Sequence, residues 1–77
     1  SPTSGFRLDV RDTVARVRLE STTGTNGVEQ RWTNTSGTLY VALDSSTGSG
    51  FGSAYAAVMW HSGNYPLLFA TNNLQRL

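Results

Sequence analysis

The sequence predicts an all-β chain, built from short antiparallel strands in tandem repeat units. Three features carry this: apolar residues alternate with polar ones at a period of two, Gly, Asn, Asp and Ser interrupt the chain at short intervals, and one nine-residue motif occurs twice. Strong helix formers are sparse, whereas β-branched and aromatic residues are frequent.

The first candidate strand is residues 6–10, with Phe6, Leu8 and Val10 on one face and Arg7 and Asp9 on the other. Residues 15–20 repeat that alternation. Ala15, Val17 and Leu19 face in, Arg16, Arg18 and Glu20 face out, and the run TTGTNG then supplies turn formers. Arg16 and Arg18 read as a solvated face or one paired with another chain. A third strand is predicted over 28–32 (VEQRW), and the turn NTSG separates it from a fourth over 38–43, which places Leu39, Val41 and Leu43 on one side. Residues 55–60 (YAAVMW), 66–70 (PLLFA) and 74–77 (LQRL) complete the series, the last two flanking an Asn72-Asn73 turn.

The motif VRLESTTGT at 17–25 returns as VALDSSTGS at 41–49, a V-x-L-[ED]-S-[TS]-T-G-[TS] pattern offset by 24 residues. Each copy leads to a strand ending in tryptophan, Trp32 or Trp60, then to a glycine-bearing turn and a further apolar strand. Copy two is four residues longer, the extra length falling in SGFGSAYA. The organisation predicted is an N-terminal strand and connector (1–13), then two β-repeat units (about 17–43 and 41–70 within 14–77) and the start of another strand. The pattern reopens at LQRL without continuation, so the expectation is a piece of a longer chain. Stacked units of this kind bury their apolar faces against neighbours.

Composition narrows the function classes. With 77 residues, the chain buries only about 60 to 65% of its unfolded surface, and ordering costs on the order of 1.5 kcal/mol per residue. It has no cysteine, and His61 is its only histidine, so neither a disulfide nor a zinc cluster is expected to staple it. Oligomerisation is the expected source of further burial. Charge is sparse and net +1, all six basic residues are arginine, and the surface is rich in Ser, Thr, Asn and Gly. That composition points away from nucleic acid and towards an extracellular or virion setting. No apolar run reaches the length of a membrane-spanning helix, so no membrane insertion is expected.

A catalytic reading finds little support. Asp9, Asp12, Glu20, Glu29 and Asp44 are the only carboxylates, and Glu20 and Asp44 hold equivalent repeat positions, which favours a shared structural role such as accepting turn amides. His61 and Ser62 are adjacent, and neighbouring side chains on a strand or turn point apart. The glycines of GSGFG lack the following helix and the lysine that a phosphate loop needs. No catalytic residue, cofactor or metal is therefore predicted. Glycan binding has better candidates: Trp60, His61, Tyr65, Tyr55, Trp32 and Arg31, aromatic faces for the apolar side of a pyranose with polar groups beside them, with Tyr40 of the same kind and the longer loop of copy two bringing Phe51 and Tyr55 near one end of that unit. Equivalent placement of Trp32 and Trp60 equally allows packing between chains, the reading preferred for that pair.

The closing residues Pro66, Leu67, Phe69, Thr71, Asn72, Asn73, Arg76 and Leu77 fit a pattern P-L-x-F-x-T-N-N/G-x-x-R-[ML]. Together with the V-x-L-x-S-x-x-G repeat, this resembles the stalk repeat of bacteriophage tail fibres, tailspikes and neck appendages, over roughly residues 14–77. In that family an Ile-x-x-x-G-x-[VI] strand follows, often with a self-cleaving intramolecular chaperone, and this sequence has neither. The resemblance implies an interwoven homotrimeric β-prism or triple β-helix. It further implies a virion location on the phage tail, attachment to the remainder of the fibre or spike, and a role in host attachment. A host-surface polysaccharide or lipopolysaccharide is the ligand class implied. The trimer core would then draw on Val17, Leu19, Leu39, Val41, Leu43, Leu67 and Phe69. Two rivals remain: a monomeric carbohydrate-binding β-module of a secreted bacterial protein, and a non-catalytic part of a glycan-degrading tailspike.

Overall fold

A computed structural model of the chain describes residues 5 and 7–76. It is all-β, with short antiparallel strands and no helix among the described residues. Strands β1 (Val28–Asn34), β2 (Gly37–Leu43) and β3 (Ala57–His61) form one sheet in that order, and β4 (Ala70–Thr71) pairs with β5 (Leu74–Gln75) in a small hairpin.

Local chemistry explains each connection. Asn34 closes the β1–β2 turn, its Oδ1 accepting from the Ser36 amide at 2.9 Å and the Ser36 hydroxyl at 2.6 Å, while Thr33 and Thr38 join across the ladder at 2.9 Å. The turn after β3 then docks on this one. The Ser62 amide donates to the Thr38 carbonyl at 2.9 Å, and the Thr38 amide donates to Ser62 Oγ at 2.8 Å. Between β4 and β5, Asn72 and Asn73 sit at φ 52° and 57°, the left-handed pair that a two-residue hairpin turn demands.

Several expected strands are absent. Residues 7–10 and 15–20 form no strand, 55–56 belong to a turn, with Tyr55 at φ 57°, and of 66–70 only Ala70 lies in a strand, with the Phe69 carbonyl beside it accepting from the Arg76 amide. Phe6 and Leu77 lie outside the described residues. The physical reason is shared: alternation gives a segment a strand's faces, but a strand also needs an edge to hydrogen-bond with. Among the described residues no backbone bond ties 15–20 to a neighbouring strand. Pro66 has no N–H to offer a ladder.

Little is buried. Among the described residues Ala42, 8% exposed, is the only buried hydrophobic residue, accompanied by the buried polar pair Asp44 and Ser45. The chain exposes 6753 Å², whereas a folded monomer of 8.3 kDa exposes about 4,600 Å². Its radius of gyration is 15.5 Å, against about 11.5 Å for a compact domain of this length. The described residues form a three-stranded sheet with one ordered loop and a separate small hairpin, and they enclose no closed core.

Candidate functional site

The register assigns every strand residue to one of two faces. Val28, Leu43 and Ala57 stand in one cross-strand row, Gln30, Val41 and Met59 in the next, and Trp32, Leu39 and His61 in a third. Directly opposed residues share a face, so these rows make up one side of the sheet. Glu29, Ala42 and Val58, then Arg31, Tyr40 and Trp60, form the other.

The second side carries a cluster of rings. Phe51 reaches in from the β2–β3 loop and meets Tyr40 edge-on, centroids 5.5 Å apart at 69°, and Trp60 at 5.6 Å and 53°. Arg31 lies over the Tyr40 ring at 5.2 Å and pairs with Glu29 at 2.6 Å. The bond to Glu29, then its charge and that of Tyr40, hold the Arg31 guanidinium above its ordinary pKa, against a smaller opposing desolvation. Together with Gly50 and Ser62, these residues line an open cleft of about 360 Å³. Trp60 remains 48% exposed, so ring surface is presented to solvent.

Asp44 holds that cleft in shape. Its Oδ1 accepts from the Ser45 amide at 2.7 Å and the Gly50 amide at 3.0 Å, and its Oδ2 from the Phe51 amide at 2.8 Å and the Ser53 amide at 3.4 Å. Burial pushes its pKa up, but the amides of Phe51, Ser45, Gly50 and Ser53 together outweigh burial and leave it below the ordinary carboxylate value. The charge thus organises residues 44–53, and the Phe51 ring is carried with its amide onto Tyr40 and Trp60.

The first side is apolar and open. Val28, Val41, Leu43, Ala57 and Met59 floor a trough of about 480 Å³, bordered by Val17 and Leu19. Trp32, Val41, Leu43 and Met59 are 49, 41, 53 and 52% exposed.

The six glycan candidates fall in different places. Trp60 and Arg31 share the ring cleft. The His61 and Tyr65 rings meet at a tilt of 41°, centroids 5.8 Å apart, with His61 Nδ1 accepting from the Gly63 amide at 2.9 Å. Trp32 lies on the apolar face, and Tyr55 borders a cleft with Leu19, Glu20 and Asp44. Of the core candidates, Leu39, Val41 and Leu43 lie on the apolar face with Val17 and Leu19 at its border, while Leu67 and Phe69 stand outside the strands, each 41% exposed. Tyr40 and Phe51, both of the kind expected beside a sugar, complete the ring cleft with Glu29 and Ser62, which residue type alone does not mark for that role. Strand parity links Tyr40 to Arg31 once the register is known, whereas Phe51 enters through a loop with no period to read. Among the described residues no three of His, Cys, Asp and Glu gather to hold a metal ion.

Comparison with protein-family models, curated proteins and solved structures returned no match for this chain.

Proposed function

We propose that this chain is a structural stalk or tip segment of a phage tail fibre or tailspike. It works as a homotrimer on the virion, its apolar sheet face turned towards the other copies and its ring cleft turned outwards to a host-surface glycan. The observation that carries this reading is the uncovered face that holds Trp32, Val41, Leu43 and Met59 beside Val17 and Leu19. A soluble chain that leaves such a face open is unsatisfied alone. The surplus surface over a compact monomer, about 2,100 Å², is the size of a permanent interface. A second copy is the occupant that requires nothing beyond this chain, and three copies can close faces around an axis.

The test is solution mass by light scattering across a dilution series, for the chain and for Met59→Asp. A mass near three times 8.3 kDa, falling to a monomer in the variant, is expected. A well-folded monomer at all concentrations overturns the trimer and moves weight to the second reading, a monomeric carbohydrate-binding module. One observation favours that alternative: the Tyr40, Phe51 and Trp60 cluster is completed by a single chain and held by Asp44.

A further inference from the structure

Asn26 and Gly27 form the bend that feeds β1, and both are exposed. We infer that this pair is a site of spontaneous backbone rearrangement in the folded chain, converting the Asn26 side-chain amide to a carboxylate and altering the entry to the sheet. The Gly27 amide nitrogen, giving up its proton, bonds to Asn26 Cγ. The Cγ–Nδ2 bond breaks and Nδ2 departs as ammonia with that proton. Water then opens the cyclic imide at one carbonyl or the other, leaving aspartate or isoaspartate at position 26.

Four observations place the reaction here. Glycine follows Asn26, so no side chain shields the attacking nitrogen, whereas Thr35, Tyr65, Asn73 and Leu74 follow Asn34, Asn64, Asn72 and Asn73. Among the described residues, the Gly27 amide takes no part in the turn and loop backbone bonds. The Asn26 side chain is held in the bend by a 2.8 Å bond from Nδ2 to Thr23 Oγ1, at the surface and open to water. Packing also keeps Gly27 a glycine: a Cβ there would lie 2.6 Å from the Leu43 carbonyl oxygen. The close approach at position 27 thus favours the residue type that leaves Asn26 most reactive.

The location gives the reaction its consequence. Gly27 precedes the first ladder pair, Val28 with Leu43, so the extra backbone carbon of isoaspartate displaces the strand entry where it fits closest. Asn26 also lines a cleft with Glu29 and Asp44, and a new carboxylate there repels both. Rearrangement therefore loosens the start of β1 and weighs on the loop that Asp44 organises.

To test this, the folded chain is incubated at mildly alkaline pH and sampled over time. Peptide mass spectrometry locates each amide lost, and an isoaspartate methyltransferase scores the rearranged backbone. The expected result is conversion at position 26 several-fold faster than at Asn34, Asn64, Asn72 or Asn73, with isoaspartate present, and loss of the fast phase in Asn26→Gln. A second measurement, amide hydrogen exchange on the converted fraction, should show faster exchange at Val28 and Leu43. Conversion first at another asparagine, or at position 26 only in denaturant, overturns the inference.

Discussion

The two copies of the repeated motif have nearly the same sequence and opposite fates. In the second, Val41 to Leu43 lie at the centre of a three-stranded sheet and Asp44 is buried, 4% exposed, receiving four backbone amides. In the first, Val17 and Leu19 are exposed and form no strand, and Glu20 answers only Arg18, at 3.7 Å. The difference lies in what surrounds each copy. Copy two has a strand on either side and a longer loop that curls back to its carboxylate, while copy one has neither. A local pattern states which faces a segment can bury, and neighbours decide whether it buries them.

The largest effect should come from removing the carboxylate that distinguishes the copies. Asp44→Ala leaves the amides of Ser45, Gly50, Phe51 and Ser53 without their acceptor, that of Ser45 in a buried position and the others beside it partly so, and an amide left unmet away from water is costly. Thermal unfolding should show the deepest fall of any substitution considered, and tryptophan fluorescence should change as Phe51 leaves Trp60. Acidity provides a milder version. The folded Asp44 sits below its ordinary value of 3.8, so the stability it contributes is complete above 3.8 and drains away as pH falls through the folded value. An acid melt of the native chain should show this loss and Asp44→Ala should lack it. Equal acid sensitivity in both would remove Asp44 from the centre of the loop.

A second, smaller contrast uses the glycines of the two motifs. Gly48 adopts φ +73°, and a Cβ there would come within 2.8 Å of Ser53 backbone atoms, whereas a Cβ on Gly24 meets nothing within 4 Å. Gly48→Ala should cost about 2 kcal/mol or more, from the left-handed backbone and the contact together. Gly24→Ala should fall within about 0.5 kcal/mol of the parent. Chemical denaturation of the pair reads both values, and similar losses at the two positions would mean that copy one is as ordered as copy two.

That contrast also marks what the sequence made legible. Alternation and turn chemistry located β1, β2 and β3 closely, and the Asn72-Asn73 corner, because each has a partner within a short stretch of chain. The same alternation over 15–20 and the apolar run at 67–69 misled, since a period cannot say whether an edge is available. Glu20 and Asp44 hold equivalent positions that suit turn-amide acceptors, yet only Asp44 acts so, because only there does a loop return through Gly50 and Phe51. Trp60 and Arg31 were legible as ring and cation, and they stand on the two strands that flank β2. Their joining through Tyr40 and Phe51 depended on register and loop geometry, which lie beyond residue type.

The smallest expected effect is at Glu20, and it sharpens the comparison most. Its contact with Arg18 is long and open, the two side chains being 55 and 82% exposed, so Glu20→Ala in an isolated chain should shift stability by no more than about 0.5 kcal/mol. The segment nevertheless has a strand's alternation, and Val17 and Leu19 border the apolar trough. If copies associate through that face, residues 17–20 gain neighbours they lack in one chain. Unfolding of Glu20→Ala should then be followed at protein concentrations below and above the association midpoint. A cost that stays near zero when dilute and grows with concentration means that copy one waits for a partner copy to complete it. A cost near zero throughout leaves the first motif a solvated connector, and the two copies differ by nature and not by circumstance.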